Sequence, residues 1–312
     1  MAEQSLQGIK RVVDEGAHYE AQQMYKTVHH RYHTKGMLED SYKILEEGAV
    51  LQLATGHLTC GVELGLMLIE AYEKDEVGLT EEACRRVDHM LDGLPEPPTC
   101  SSEGSIDGNC KGTEGSKVDE ALRLLTAAIK WGHKQGAGAW ERRLHDRAAR
   151  FVWGWQGWSR LALVSAHYAQ GSDWQGFASA LATCARMGEP CEEDLFVARA
   201  VLQVLAWARV DQLADRVSSA QSLLTEYQED RLLPETPLMH CMQLMIQALN
   251  KNSATLFQML LNKYDASLSR DPSLSHLLQK VEQVFFGAQQ TNGFGGMLGG
   301  LMQMLAGGAP CS

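Results

Sequence analysis

The residues best suited to chemistry in this chain are the histidines of His29-His30-Arg31-Tyr32-His33. His29 and His33 stand four positions apart, so they share one face of a helix at the spacing that helical metal ligands use. His30 occupies the place where a zinc protease has its catalytic Glu, so the pattern lacks a general base. An exposed helix face explains the motif better than a metal site, and a zinc enzyme is the weaker alternative.

The other chemically active residue types form no recognised site. The eight cysteines are scattered over the chain without a Cys-x-x-Cys pair, which predicts neither a zinc site nor a disulfide framework. Buried small side chains and loop thiols explain them. The sequence also lacks a nucleophile elbow, paired catalytic carboxylates and a glycine-rich phosphate loop. We therefore expect a protein that is not an enzyme and that needs no cofactor.

A basic segment between Lys130 and Arg150 contains six Lys or Arg residues, with Trp131 and Trp140 among them. Basic residues with interleaved aromatic side chains can bind single-stranded nucleic acid. The whole chain, however, has a net charge of −11, and Trp at helical spacing belongs more often to a core. We predict that these tryptophans are structural and that the protein does not bind nucleic acid.

The elements that position these residues are marked by glycines that recur every 20 to 22 residues, at Gly16, Gly36, Gly56 and Gly78. Each is followed five positions later by a small residue, namely Ala21, Ser41, Gly61 and Ala83. A glycine that ends one helix and a small residue inside the next, where two backbones approach, define a turn-plus-helix unit. Two units make a hairpin of about 40 residues, which must stack on neighbours to cover its apolar face. An ordinary helical bundle is the alternative to this solenoid.

Length and composition agree with an extended helical stack. At 312 residues the chain exceeds the size at which one core usually stops growing, whereas a solenoid grows by adding layers. No apolar run approaches the length of about 20 residues that spans a membrane, and the first residues are too polar for a secretory signal. We predict an all-α, cytosolic α-solenoid of stacked antiparallel hairpins, tetratricopeptide-like or HEAT-like, which does not insert into a membrane.

Three segments interrupt the predicted helices. Residues 95–116 are rich in Pro, Ser and Gly, which predicts a disordered loop. Residues 229–237 contain Pro234 and Pro237 and predict a short extended or hairpin connector. Residues 287–312 are rich in Gly and Met and form either a flexible tail or a short apolar segment that adds to a partner.

Between the connector and the tail, two apolar stripes predict long helices, around 238–261 and around 274–285. The halves of the solenoid are predicted at residues 1–156 and 157–286.

Several stretches, taken together and in order, resemble one known family. They are residues 19–27, 31–32, 47–49, 68–70, 194–203, 269–272, 285–287 and 295–299. The sequence is similar here to the Golgi-to-ER traffic protein 4 family, also called the 35-kDa subunit of the transmembrane-domain recognition complex. No single stretch is as specific as the collinear set. The resemblance implies an adaptor in post-translational targeting of tail-anchored membrane proteins to the endoplasmic reticulum.

The resemblance also implies partners for each half. In the family, the amino-terminal half docks a targeting ATPase. The carboxy-terminal half holds a ubiquitin-like protein that recruits the client-loaded chaperone, and metazoan members also bind a BAG-domain-containing chaperone. A generic helical-repeat scaffold for chaperones or complex assembly, which would bind peptide carboxylates in its groove, is the alternative function.

The ATPase site is predicted at Lys10, Arg11, Tyr19, Lys26 and Arg31. Residues 10–35 carry a net charge of +2, whereas the remaining chain carries −13. Position and charge agree, although a charged run is equally typical of a solvated helix face. Lys26 and Arg31 lie about 140° apart around their helix, so they cannot share a narrow stripe.

The site for the ubiquitin-like protein is predicted at Leu232, Leu233, Phe285 and Phe286. A break in a helical stack exposes apolar faces of the flanking helices to a second chain. The sequence departs from the family in two places. The loop at 95–116 looks longer, and the connector at 231–237 is short where members can have a β-hairpin that grips this partner.

Overall fold

The chain is described in a computed structural model, which covers residues 2–97, 112–136 and 138–293, with backbone alone at 2–5, 112–114, 210 and 288–293. Every regular element in these residues is a helix, and none of them is a strand. This confirms the predicted all-α solenoid of stacked helices. The chain divides into two compact units, Met1–His167 and Tyr168–Ser312. The assignment of partners to residues 1–156 and 157–286 stays a prediction.

The amino-terminal unit begins with helices of similar length joined by short turns. They are α1 (Ala2–Asp14), α2 (His18–Thr34), α3 (Leu38–Ala54), α4 (Leu58–Lys74) and α5 (Glu81–Asp92). The unit continues with α6 (Gly112–Lys134), α7 (Ala139–Gln156), a 3₁₀ turn (Gly157–Arg160) and α8 (Leu161–Tyr168), whose last residue begins the second unit. Helices α1 to α7 each pack on the next helix in the chain, and α4 also packs against α6.

The glycine repeat is confirmed at three of its four positions. Gly16, Gly36 and Gly56 each lie two residues after a helix and have φ of +82°, +74° and +82°. The prediction that Gly78 ends the fourth helix is wrong. Helix α4 ends at Lys74, so the equivalent left-handed residue is Glu76, with φ +55°, and Gly78 lies in the longer turn that precedes α5.

The small residues after these turns lie where helices approach closely. A Cβ added to Gly61 would lie 2.5 Å from Leu53 Cγ, so a larger residue requires the Leu53 side chain to move. Ala21, Ser41 and Ala83 are also buried. The predicted close approach to a neighbouring backbone is therefore confirmed at Gly61, and the other three positions are buried as such packing requires.

The tryptophans in and near the basic segment divide between core and surface. Trp131 is fully buried and packs edge to face against Trp140, with ring centroids 5.6 Å apart. Trp158 is 49% exposed. The structural role predicted for the first two is confirmed, because a buried ring cannot stack on a base.

Part of the predicted loop at 95–116 is helical, because α6 already begins at Gly112. Pro97 is described, and it lies against Gly154 of α7. Residues 98–111, on which most of that prediction falls, lie outside the described residues.

The carboxy-terminal unit is a second stack of helices. They are α9 (Trp174–Met187), α10 (Glu193–Ala206), α11 (Leu213–Asp230), α12 (Pro237–Asn250), α13 (Ala254–Lys263), α14 (Asp265–Leu268) and α15 (Pro272–Gly293), with 3₁₀ turns at Pro190–Glu192 and Val210–Gln212. Helix α10 packs against α9, α11, α12 and α15, so it forms the centre of this unit. Cys184 and Cys241 are buried here, and burial raises the pKa of their thiols to about 11 and about 12.

The extended connector is confirmed, with narrower bounds. Helix α11 runs to Asp230, and Arg231 and Thr236 have extended backbones. Pro237 begins α12, since the first turn of a helix needs no donor from its own N–H. The connector therefore comprises residues 231–236.

The prediction of one long helix around 238–261 is wrong. This stretch is two helices, because Asn252 takes a left-handed conformation with φ +48° and Ser253 caps α13 through its hydroxyl. The predicted tail also starts later than Gly287, since α15 continues to Gly293. Residues 294–312, which carry the rest of that prediction, lie outside the described residues.

Candidate interaction surfaces

The amino-terminal surface, defined by Lys10, Arg11, Tyr19, Lys26 and Arg31, lies on α1 and α2. The first two residues occupy the second half of α1, and the other three are spread along α2. Tyr19 is 66% exposed. An exposed aromatic side chain contributes little to packing within the unit, but it offers the large, rigid contact area that protein interfaces use most.

Lys26 is held by its own unit. Its Nζ donates to Glu63 Oε2 at 2.7 Å, and Gln22 Nε2 donates to the same oxygen at 2.8 Å. The hydrogen bond from Lys26 lowers the pKa of the Glu63 carboxyl, against the burial that would raise it. Lys26 therefore joins α2 to α4, and Glu63 neutralises most of its charge.

The other three cations of this surface are more accessible. Lys10 Nζ lies 3.9 Å from Glu47 Oε2, and the Arg31 guanidinium lies 5.5 Å from the ring centroid of Tyr32. Arg11 and Arg31 are exposed. Exposed ion pairs are weak, so these charges still act on an approaching molecule. The structure thus leaves Lys10, Arg11 and Arg31 accessible but does not group them, since Arg31 lies about 18 Å along α2 from Tyr19, at the end of the helix away from α1's last turn.

The histidines of α2 connect neighbouring helices. His29 Nδ1 lies 2.6 Å from Ser41 Oγ, and His33 Nε2 lies 2.8 Å from Asp75 Oδ2. The Tyr42 hydroxyl donates to Asp75 at 2.6 Å. Burial would raise the pKa of Asp75, but the hydrogen bonds from Tyr42 and His33 leave it below its usual value. Both imidazoles are therefore engaged in contacts between helices.

Two further features bear on the classes of site considered from the sequence. Within residues 2–97, 112–136 and 138–293, no group of three or more His, Cys, Asp and Glu side chains could hold a metal ion. None of the helices in those residues combines the length and apolar character needed to cross a bilayer.

The connector is anchored at its first residue. Arg231 donates two hydrogen bonds to Glu193 of α10, from Nε to Oε1 at 2.7 Å and from Nη2 to Oε2 at 2.8 Å. The Tyr227 hydroxyl donates to Glu193 Oε1 at 2.8 Å. The hydrogen bonds from Arg231 and Tyr227 lower the pKa of Glu193 although its carboxyl is buried. The chain therefore leaves α11 in a fixed direction.

Beyond this anchor, Leu232 is 86% exposed and Leu233 is half-buried. An apolar side chain on a fixed backbone loses little freedom when it enters a pocket on another protein. The connector therefore places Leu232 where a partner could bury it.

The structure does not support Phe285 and Phe286 as partner contacts. They are 6% and 1% exposed, and the Phe286 ring lies 5.5 Å from that of Phe257 in α13. The apolar stripe that suggested them faces the core of the unit. Of the four residues predicted for the ubiquitin-like partner, the connector pair alone offers surface.

A groove between α12 and α13 was missed from the sequence. It encloses about 630 Å³ and is lined by Leu244, Gln247, Ala248, Lys251, Leu256, Met259, Leu260, Asn262 and Lys263. Leu256 is 41% and Met259 is 61% exposed, so its floor is apolar and accessible. The signal that could have revealed it is Asn252-Ser253, a left-handed residue type followed by a helix cap inside the stripe. A break there turns one helix into a hairpin with a groove along it.

The chain matches a family model described as Golgi to ER traffic protein 4 over residues 35–305. It is 26% identical to Protein GET4 of Arabidopsis thaliana over 312 residues, which cover 97% of this chain and 96% of the relative. It is 27% identical to the Golgi to ER traffic protein 4 homolog of Homo sapiens over 316 residues, which cover 96% of this chain and 88% of the relative.

A solved structure has the same fold. The crystal structure of C. therm. Get4 superposes with a TM-score of 0.71 at 19% sequence identity, and the match covers 99% of this chain and 96% of that one. At this identity the similarity concerns the architecture, and it supports the helical stacking described above.

Proposed function

Because the chain belongs to the Golgi to ER traffic protein 4 family, we propose that it is a non-enzymatic adaptor in the targeting of tail-anchored membrane proteins to the endoplasmic reticulum. It acts in the cytosol and bridges a targeting ATPase and a ubiquitin-like protein that recruits the client-loaded chaperone. A BAG-domain-containing chaperone is a further candidate partner.

The observation that carries this proposal is that each compact unit has an exposed surface that its own packing leaves unused. The amino-terminal unit presents the exposed Tyr19 and the accessible cations of α1 and α2, and the carboxy-terminal unit presents Leu232 on an anchored connector. An adaptor needs two such surfaces, because a bridge must hold both partners at once. The test is a mixture of the purified chain, ATPase and ubiquitin-like protein. Sedimentation should show a ternary complex that does not form when this chain is omitted.

The ATPase contact is tested on the amino-terminal surface. Arg11→Glu should slow association several-fold and flatten its dependence on ionic strength, because exposed charges mainly set the rate of encounter. Tyr19→Ala should instead raise the dissociation rate, since it removes buried contact area. Arg143→Glu is the matched control, because this exposed arginine lies on α7, which packs against α6. Wild-type kinetics for both test variants would place the ATPase elsewhere.

The contact with the ubiquitin-like protein is tested at the connector. Leu232→Asp should lower the affinity at least tenfold, because a leucine side chain fully buried in an interface is worth about 1.5–3 kcal/mol. Met187→Asp is the control, since Met187 is 47% exposed in the same unit and lies at the end of α9. Calorimetry with the purified partner measures the effect, and an unchanged affinity for Leu232→Asp would exclude this placement.

A further inference from the structure

We propose that His18 and His57 form a clasp between α2 and α4 that responds to protons. The clasp is closed while at most one of the two imidazoles is charged, and it opens when both are charged. His18 is the first residue of α2, and His57 directly precedes α4. The clasp goes beyond the proposed adaptor function, in which neither histidine takes part.

The two imidazoles stack face to face. Their centroids lie 3.3 Å apart, and the angle between their planes is 20°. His57 is exposed and His18 is half-buried, so protons from solvent reach both rings. Two positive charges at this separation repel each other, because the Coulomb energy rises as the distance between charges falls. A pair with at most one charge has no such repulsion, so the contact between the rings depends on their protonation.

Gln52 of α3 holds one member of the pair in place. Its Nε2 donates to the His18 carbonyl at 2.9 Å, which leaves its Oε1 as the acceptor that lies 3.2 Å from His18 Nδ1. His18 Nδ1 therefore carries a hydrogen, and a proton taken up from solvent binds at Nε2 without breaking this hydrogen bond. Because Gln52 is fully buried, a turn of the His18 ring would leave a buried amide oxygen without its donor.

His57 is the member that can move. Its backbone N–H donates to the Gln52 carbonyl at 2.9 Å, which fixes its main chain beside His18. Its exposed side chain can swing into solvent without breaking that bond. Opening of the clasp is therefore a local movement of one ring, and the helices stay in place.

The pKa of His57 agrees with this arrangement. The partial burial of its ring and, second, the charge of His18 hold this pKa below 6.5. The helices around the pair carry other titratable groups, while α3 contributes the uncharged Gln52. These groups are Asp14 and Glu15 of α1, Lys26 of α2, Cys60 and Glu63 of α4 and Arg123 of α6. Among the described residues, none of them contributes to the lowered pKa of His57.

The direction of this pKa sets the pH range of the clasp. Because the pKa of His57 is lower in the folded chain, the unfolded chain binds the proton first. The contribution of the clasp to stability is complete above about pH 6.5 and is lost as the pH falls through the folded pKa.

Opening changes the surface where α2 begins. Tyr19, which is 66% exposed, follows His18 directly in the chain. The open clasp uncovers one face of the His18 ring and places two positive charges at this end of α2. A consequence for the ATPase rests on the proposed function, which assigns Tyr19 to that partner. The clasp itself is a property of the free chain.

Deuterium exchange at the imidazole C2 position tests the coupling between the rings in the full chain. Trypsin places His18 in the peptide 12–26 and His57 in the peptide 44–74, and neither peptide contains another histidine. Mass spectrometry across a pH series therefore gives the pKa of His57 separately. His18→Gln should raise this pKa towards its ordinary value of about 6.5, because the like charge is gone. His276→Gln, at an exposed site on α15, is the control and should leave it unchanged.

Nuclear Overhauser effects between the two rings test the opening directly, in a chain with labelled histidines. The inter-ring signal should be strong at about pH 7.5 and lost at about pH 5, on either side of the ordinary histidine pKa. His57→Phe keeps a ring against His18 but takes no proton, so its inter-ring signal should persist at both pH values. Because His57 is exposed, this substitution should not disturb the fold.

Three results would overturn the clasp. They are an inter-ring signal in the parent chain that persists at about pH 5; a signal in His57→Phe that is lost at the same pH as in the parent chain; and a pKa of His57 that His18→Gln does not raise. Failure of the ATPase to respond to Tyr19→Ala would count against the proposed function alone, because each of these measurements uses the free chain.

Discussion

The two units differ in how polar side chains join their helices. In the amino-terminal unit, imidazoles take part, as in the contacts of His29 with Ser41 and of His33 with Asp75. In the carboxy-terminal unit, arginines bind the buried carboxylates at the start of α10, as Arg231 does with Glu193. The contrast matters because an imidazole changes charge near neutral pH, whereas a guanidinium does not. The two units should therefore respond to acid at different pH values.

The largest effect is expected in the core of the carboxy-terminal unit. Phe286→Ala should destabilise this unit by about 3–5 kcal/mol, because it leaves a cavity beside Phe257. Hydrogen exchange should show loss of protection concentrated in α13 and α15. Leu232→Ala, at an exposed position, is the control and should change protection little. A stable Phe286→Ala variant with weakened partner binding would reverse the structural role assigned to this residue.

The next effect tests the arginine–carboxylate contacts. Asp194 is 2% exposed and accepts hydrogen bonds from Arg270 Nη1 at 2.6 Å and Nη2 at 3.1 Å. Asp194→Asn should lower the free energy of unfolding by about 2 kcal/mol, since charge-assisted hydrogen bonds are lost in a buried place. Denaturant titration measures the change. Glu192→Gln, on an exposed neighbour, should stay within about 0.5 kcal/mol of the parent chain.

Acid should act first on the amino-terminal unit. Burial, with smaller contributions from His33 and His30, holds the pKa of His29 below 6.5, against a hydrogen bond with Ser41 and the charge of Asp75. The unfolded chain therefore takes up the proton first. The contribution of His29 to stability is complete above pH 6.5 and is lost as the pH falls through the folded pKa.

In the carboxy-terminal unit, the hydrogen bond from Arg231 lowers the pKa of Glu193, so the corresponding loss begins only below about pH 4.5. Protection from hydrogen exchange should thus fall in α2 and α3 between pH 7 and 5.5 while α10 and α11 stay protected. His29→Gln should reduce this dependence by at most about 1.4 kcal/mol per pH unit. His276→Gln, at an exposed site, serves as control. Simultaneous loss in all four helices would contradict the contrast between the units.

The smallest effect concerns backbone conformation. Glu76 has φ +55° and Asn252 has φ +48°. Glu76→Gly should stabilise the chain by about 1 kcal/mol, because it removes the steric cost of a left-handed residue. Asn252→Gly should gain less, since asparagine tolerates this region better than glutamate. Thermal melts of the two variants compare them directly, and an equal gain would indicate that the surrounding turns dominate.

Most of the fold could be predicted from the sequence, because the turns and the apolar helix faces recur along the chain. The glycines at 16, 36 and 56 predicted three helix ends correctly, and Pro234 predicted the break before α12. Where the prediction was wrong, a rarer residue type replaced the expected one. A strict period of 20 leads to position 76, where the chain has Glu, so the pattern was continued to Gly78 by residue type instead of by spacing.

The candidate surfaces were harder to predict from the sequence, because the exposure of a side chain depends on neighbours that are distant in sequence. Lys26 looked like a surface cation, but Glu63 lies beside it in the folded unit. Phe285 and Phe286 were assigned to a partner from the sequence, but the packing of Phe286 against Phe257 of α13 places them in the core. Periodicity shows that a helix has an apolar face, but it does not show what covers that face.

Asp75 links helices α2, α3 and α4, so these three helices should unfold together. Its carboxylate accepts from Tyr42 in α3 and contacts His33 in α2, while Asp75 itself ends α4. Separation of any one of these helices breaks a contact that orients the other two, so partial opening gains little chain freedom for the interactions it loses. The amides of α2, α3 and α4 therefore belong to one cooperative unit of unfolding, and a ligand bound to α2 alone would slow exchange in all three.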